Sequence, residues 1–314
     1  MLLKLKIKTE GSLQPISVTG LQGILHARRQ SYDVLLQLGY TSSALWYPLH
    51  PSGVPVITNM DGLEWRRSKY RGLVRRFLRW SEASAAHRSQ ALVADSKGIA
   101  QYLQKTYGLD STFIPYAALP VDPLTTEKLA QVLGPMGLVP GGYDLLIARM
   151  EPDNHIHTLL EAHAHAAALR PTLPPLVLVG RPANAFARGL QARHPNSPHI
   201  RWLGGIYEQD TLEILRQGCR LYFHGHSVGG TNPSLLEAMA SSLPVVATRV
   251  PGIVDQVEDG REGLLVSEKN PNDLGDALRK IACDPELASR LSIQAGRRSM
   301  EFHWGSVAKK YLET

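Results

Sequence analysis

Short apolar runs of four or five residues alternate along the chain with longer stretches in which apolar positions recur every three or four residues. The short runs predict strands at 33–37, 54–58, 91–95 and 112–115, and the stretches between them predict helices such as 20–29, 70–87 and 98–107. A polar segment rich in Gly and Pro, 134–142 (GPMGLVPGG), interrupts this rhythm, which then restarts. Further strands are predicted at 145–149, 176–180, 200–203, 220–223, 245–248 and 263–266, with helices between them, among them 157–169 and 233–240. Apolar strands joined by helices imply parallel sheets covered on both faces. Two such series about a linker predict an α/β chain of two doubly wound, Rossmann-like domains facing a cleft. Sheets of this kind bind ligands outside the carboxyl ends of their strands, so function is sought in the turns that follow those ends.

Composition narrows the class. Apolar residues at 43% of 314 sustain a core, and 20% charged residues exclude wholesale disorder. Cys219 and Cys283 form neither a disulfide framework nor a metal-ligand spacing, and two cysteines suit a reducing cytosol. The first six residues, MLLKLK, lack the apolar stretch of a signal peptide, and no apolar run reaches the ~18 residues of a membrane span. A cytoplasmic location follows as the expectation. The net charge of +6 is concentrated in 65–80, WRRSKYRGLVRRFLRW, where seven Lys/Arg are interleaved with Trp65, Tyr70, Phe77 and Trp80. That stretch predicts either a peripheral contact with anionic lipid on the inner face of the plasma membrane or a plain solvated helix face. A nucleic-acid partner is not expected, because the rest of the chain offers no recognition motif.

The most informative segment is 221–240, LYFHGHSVGGTNPSLLEAMA. A predicted strand gives way to a polar loop, 224–232, and Pro233 stands where a helix would begin, with Asn232 as a good N-cap. Gly229 and Gly230 allow close backbone approach, and free N–H groups at a helix start favour an anion such as a phosphate. Glu237, one turn further on, can accept from vicinal hydroxyls. Phosphate donors beside a hydroxyl-binding carboxylate describe a nucleotide site, although an ordinary loop-to-helix turn accounts for the same glycines. The histidine pairs 155/157 and 163/165 are spaced i,i+2, which places their side chains on different faces of a helix and argues against a metal site.

The string HSVGGTNPSLLEAMA, followed by LPVVATRVPG and VEDGREGLLV, resembles the nucleotide-sugar half of a GT-B glycosyltransferase of the retaining family 4 type, in its rhamnosyltransferase-like branch. VITNMDGLEWRRSKY (56–70), WSEASAAHRSQALVADS (80–96), IARMEPDN (147–154) and FHWGSVAKKY (302–311) are similar to the same branch. The resemblance implies an acceptor-side domain at 1–137, a nucleotide-sugar domain at 138–300 and a terminal helix, 301–314, crossing back to the first domain. It implies catalytic roles for Asp61, Arg149 and Glu237. Arg149, Asn154, His226, Gly229, Gly230, Thr231, Asn232 and Glu237 would bind the donor, with Glu237 on the ribose and Arg149 and the 229–232 backbone on the diphosphate. Asp61, Glu64 and Asp95 would line the acceptor side, where helix caps and first-turn acids are the bland alternative for Asp61 and Glu64. Two positions depart from the family pattern: Gly229 replaces a carboxylate, and Asn154 replaces a lysine, so one cation is missing.

Relatives also open with a strand and a glycine-rich loop that this chain lacks, so roughly 60 residues, on the order of two βα units, are expected to be missing from the first domain. The resemblance implies transfer of a sugar, rhamnose from dTDP-rhamnose being favoured, to a lipid-linked or growing glycan of a surface polysaccharide, with the anomeric configuration retained. No metal and no cofactor are expected. The alternatives are an inactive remnant or partner subunit that binds nucleotide sugar, an epimerase or phosphorylase on the same fold, and a basic nucleic-acid-binding protein.

Overall fold

The structure, a computed structural model, describes residues 16–41, 43–195, 197–268 and 270–314, without the side chains of 16–19 and 43. The opening six residues and the start of the segment read as the first domain's beginning lie outside the described residues. Two parallel α/β domains of Rossmann type follow each other along the chain.

The first domain runs through α1 (Ile16–Ala27), β1 (Leu35–Leu38), β2 (Val56–Asn59), α2 (Gly72–Arg88), β3 (Ala91–Ala94), α3 (Lys97–Tyr107) and β4 (Thr112–Phe113). Its sheet has the order β1-β2-β3-β4, parallel throughout. β3 is buried on both faces, whereas β1 alternates and leaves Leu36 and Leu38 43% and 74% exposed at the sheet's edge. Ser96 caps α3 by accepting from the Ile99 N–H, and Gly108 ends it in the left-handed region at φ +69°, where a side chain would be strained.

The second domain comprises α4 (Thr126–Leu133), β5 (Asp144–Ile147), α5 (Ile156–Leu169), β6 (Leu176–Val179), α6 (Ala185–Arg193), β7 (Ile200–Gly204), α7 (Gln209–Gly218), β8 (Leu221–His224), α8 (Pro233–Ala240), β9 (Val245–Thr248), α9 (Pro251–Val254), β10 (Gly263–Val266), α10 (Pro271–Cys283), α11 (Pro285–Ser299) and α12 (Trp304–Glu313). Its strands lie in the order β10-β9-β8-β5-β6-β7. The chain winds outward from β5 in one direction as far as β7, then returns to β8 and winds the other way, so the topological switch point lies between β5 and β8. Strands β6, β8 and β9 are buried along their whole length, as continuous apolar runs demand. Leu146, Leu159, Leu178, Phe223 and Val246 share one core on one face, and Leu145, Val177, Leu215 and Tyr222 share another on the opposite face.

The last helix, α12, leaves the second domain. Its Val307 is buried against Val93, Ile114 and Ala117 of the first, and Tyr311 accepts from the Asn59 side-chain amide at 3.2 Å.

Candidate functional site

β5 and β8 pair only at Asp144–Leu221 and Leu145–Tyr222, so a crevice opens beyond them at their carboxyl ends. Two segments flank it, 148–154 after β5 and 225–232 after β8. They are tied together: the Ser227 N–H and hydroxyl both donate to the Asp153 carbonyl, at 3.1 and 2.9 Å. Gly225 has no alternative, since a Cβ there would lie 2.2 Å from the Asn154 carbonyl oxygen.

Arg149 stands two residues past β5 with its side chain exposed in the crevice. Asn154 is buried; its amide donates to the Arg149 carbonyl at 2.6 Å and its Oδ1 meets His226 Nδ1 at 3.0 Å. The Asn154 side chain is thereby spent on holding the Arg149 segment and the His226 ring. His226 Nε2 lies beside Gly229, and burial, then the positive charges of Arg67 and Arg149, lower its pKa to about 4. His224, which the sequence places in the loop, is the last residue of β8 and is buried, with its pKa down at about 3.

The glycine loop then turns into α8. Gly229 adopts φ +138°, and Asn232 caps the helix by accepting from the Ser234 N–H at 3.0 Å. Glu237 lies on α8, 34% exposed, and pairs through Oε2 with Arg216 of α7. Arg216 is 3% exposed and has Glu213 at 3.8 Å as a second partner. One oxygen of Glu237 is therefore held, and the other remains for hydroxyl groups. Tyr222 and Ser234 share a 2.6 Å hydrogen bond beneath the same helix end.

The first domain meets this loop directly. Asp61 and Gly62 follow β2, and a Cβ on Gly62 would lie 3.6 Å from the Gly229 Cα. Asp61 keeps an exposed edge but stands among atoms of both domains, and this loss of solvent raises its pKa, opposed by a hydrogen bond with Tyr116. Glu64 accepts from Arg67 Nε at 2.5 Å. Asp95, immediately after β3, is fully buried; its carbonyl accepts from the Thr231 N–H at 3.3 Å, and the Thr231 hydroxyl accepts from the Tyr116 N–H at 2.9 Å. Neither carboxyl oxygen of Asp95 has a hydrogen-bond partner, and burial together with Asp61 raises its pKa to about 8. Asp95 thus faces Gly230 inside the seam rather than an open acceptor surface.

The structure brings Asp61, Glu64, Arg149, Asn154, His226 and the 229–232 loop to one seam, with Glu237 on the helix that this loop begins. Sequence reasoning missed Arg67, Tyr116 and Arg216. Only Arg216 left a signal: with Leu212 and Leu215 it lies on the buried stripe of α7, where a charge requires a partner. Among the described residues no group of three or more His, Cys, Asp or Glu side chains is placed to hold a metal ion.

Residues 143–298 match the family described as Glycosyl transferases group 1, and residues 45–118 match a Domain of unknown function (DUF1972). A D-inositol 3-phosphate glycosyltransferase of Stackebrandtia nassauensis is 30% identical over 248 residues, covering 74% of this chain and 55% of that protein. The chain thus spans about half the length of this curated relative. Among solved structures, the sucrose-phosphate synthase of Thermosynechococcus elongatus superposes with a TM-score of 0.77 at 19% identity, over 99% of this chain and 81% of that one. Anabaena HepE in complex with UDP-glucose gives a TM-score of 0.77 at 17% identity, over 96% of this chain and 83% of that one. At these identities both likenesses speak to the fold, which is GT-B.

Proposed function

We propose, on the match of residues 143–298 to glycosyl transferases group 1, that the chain moves a sugar from a nucleoside diphosphate donor to a glycan or polyprenyl-linked acceptor. One observation carries the reading. At the switch point of the second sheet an exposed guanidinium, a helix start reached through two glycines, and a half-held carboxylate one turn along that helix face a single crevice.

Arg149 and the backbone N–H groups of Gly230 and Asn232 hold the diphosphate, the Thr231 N–H being engaged by the Asp95 carbonyl, and a fixed cation and a helix N-terminus balance the charge that grows as it departs. The free oxygen of Glu237 accepts from the ribose hydroxyls. His226, neutral at physiological pH, lies with Gly229 beside the place of the transferred sugar. Asp61 orients the acceptor hydroxyl, with Glu64 behind it. In the retaining, front-face course the acceptor oxygen bonds to the anomeric carbon as the bond to the diphosphate breaks. The electron pair stays on the phosphate oxygen, which takes the acceptor's proton. Asp95 supports the loop from behind.

Rhamnose and a thymidine base are proposed on the GGTNP and DGLEW strings. The UDP-glucose complex of the like-folded Anabaena protein favours uridine as the alternative base. The outer face of α2 is the proposed membrane contact: Leu73, Val74 and Trp80 are 81%, 50% and 50% exposed among Arg71, Arg75, Arg76 and Arg79.

Calorimetric titration with dTDP-rhamnose and UDP-glucose tests the site. Glu237→Gln serves as the control, because glutamine keeps the side-chain volume beside buried Arg216. Saturable binding of either donor, weakened at least about tenfold by the substitution, supports the reading, since a lost charge-assisted hydrogen bond is worth that much. A folded protein that binds neither donor overturns it.

A further inference from the structure

Among the described residues at the seam, Arg67 is a cation that the donor site as built so far does not use. Arg67 lies just past the short helical turn Glu64–Arg66 in the first domain, and its Nε is engaged by Glu64 Oε1 at 2.5 Å. The pair is 15% and 19% exposed. Next to it, the Ser68 N–H and hydroxyl dock on Asp153 Oδ2 of the second domain at 3.3 and 3.1 Å, against the turn that follows Arg149. The segment bearing Arg67 is thereby fixed across the cleft, on the side opposite Arg149. Its charge and that of Arg149 bear on the same two groups, Asp61 and His226. A guanidinium held by a carboxylate through Nε keeps its two terminal nitrogens for another anion.

The charge balance of the crevice calls for such a group. A diphosphate carries two or more negative charges, while the described residues of the two segments flanking the crevice offer the exposed guanidinium of Arg149 and a helix end. Asn154, neutral and occupied by Arg149 and His226, adds no positive charge.

We propose that Arg67 is the second cation of the diphosphate site, binding the phosphate nearest the sugar from the first domain's side while Arg149 binds from the second. This inference rests on the nucleotide-sugar reading above. As the bond between the anomeric carbon and the phosphate oxygen breaks, its electron pair stays on that oxygen, and the Arg67 terminal nitrogens meet the charge it acquires. The oxygen then takes the proton that the acceptor hydroxyl gives up. Glu64 is a positioning residue acting through Arg67. The arrangement also makes full charge neutralisation conditional on the two domains being together, so that the leaving group is stabilised only when acceptor side and donor side are closed.

The test is a calorimetric comparison of UDP, UMP and uridine, repeated with dTDP, dTMP and thymidine, on the whole chain and on Arg67→Gln, Arg67→Lys and Lys105→Gln. Lys105 is an exposed residue of α3 remote from the seam and controls for net charge. Arg67→Gln is expected to weaken diphosphate binding at least about tenfold while changing the monophosphate by less than about threefold, with Arg67→Lys between and Lys105→Gln unchanged. Equal weakening of all three ligands would indicate a disturbed fold and overturn the proposal, as would diphosphate binding by Arg67→Gln at the original affinity. In that last case the donor site itself would stand. If the unsubstituted chain binds neither UDP nor dTDP, the nucleotide-sugar reading fails and this inference falls with it.

Discussion

Gly230 and Asp95 show how little room a single position leaves at the seam. A Cβ on Gly230 would stand 2.0 Å from Asp95 Oδ1, inside any tolerable contact. Asp95 is tolerated there because its raised pKa, about 8, keeps the carboxyl protonated at neutral pH, and a neutral carboxyl costs far less to bury than an ionised one. Gly230→Ala is expected to part the loops and lower donor affinity at least about tenfold, the scale of one lost charged contact. Adding Asp95→Ala removes the colliding carboxyl and should restore most of that affinity. Titration of the single and double variants decides the matter: a Gly230→Ala protein that binds as tightly as the parent would show that the seam yields elsewhere.

At the scale of elements, α2 has two faces with different work. Its inner face carries Glu82, fully buried, which accepts from Tyr40 and Trp65 at 3.0 Å and from Tyr102 and Tyr107 at 2.7 Å. Tyr40 also donates to the Gly62 carbonyl at 2.9 Å, so this knot fixes the loop that bears Asp61. Glu82→Ala takes this acceptor from Trp65, Tyr102 and Tyr107, while Tyr40 keeps the Gly62 carbonyl, and is expected to cost about 3 kcal/mol, read as a lower denaturation midpoint in urea. Three guanidiniums, of Arg66, Arg75 and Arg79, lie about 5 Å from the centre of the Trp65 ring (5.1, 5.3 and 4.9 Å), tying the outer charges to the same knot. The outer face is the one proposed to meet lipid. Co-sedimentation with vesicles containing anionic phospholipid should fall on Leu73→Glu and on Trp80→Glu and should be abolished with zwitterionic vesicles. Equal sedimentation of parent and variants would mark α2 as an ordinary solvated face.

The whole molecule sets two further conditions. One pocket between the domains, lined by Leu63, Ser96 and Tyr102 on one side and Ser227, Gly229 and Pro251 on the other, has a volume of about 110 Å3. Sites that enclose small molecules run to roughly 300 Å3 or more, so this pocket takes part in holding the proposed donor only if the domains swing apart. Small-angle scattering should accordingly register a change in radius of gyration when a donor is added at saturation, and an unchanged profile would argue for entry without hinge motion.

The second condition is pH. His163, His224 and His226 are buried neutral, with pKa values lowered to about 4, 3 and 4. Below about pH 6.5 the unfolded chain takes up these protons and the native one does not, so stability is lost on acidification. Asp95 works the other way. The native state keeps a proton that the unfolded chain releases above about pH 4, so stability declines as the pH rises toward 8. Asp144, raised to about 6 by burial, opposes the histidines only below that pH, so near neutrality the histidines are set against Asp95 and the optimum falls near pH 7, at about the point where the two slopes cancel. The thermal midpoint between pH 4.5 and 9 should peak there, and Asp95→Asn should remove the decline between about pH 7 and 8, steepen the acid side and move the peak to higher pH.

The elements themselves were legible in the sequence because each strand is a local apolar run and each helix a local periodicity. The runs at 245–248 and 263–266 coincide with β9 and β10, and 233–240 with α8. Asn232, Pro233 and the paired glycines likewise announced the helix start that faces the crevice, since capping and turn chemistry act within a few residues. The apolar run before them ends at Phe223, because His224 is polar; only burial within β8 shows that His224 belongs to the sheet. What the sequence by itself determined is therefore the fold class, the loops at the strand ends and the residue types they present. The tertiary structure decided which of those loops meet, and with what charge. Arg216 lies 21 residues from Glu237, and Ser68 lies 85 from Asp153. Asp95 and Gly230 face each other from different domains. Such pairings are set by the order of strands within each sheet and by the closure of one domain on the other. Neither leaves a periodic trace in the chain, because burial and electrostatic coupling depend on distance in space rather than on separation in sequence.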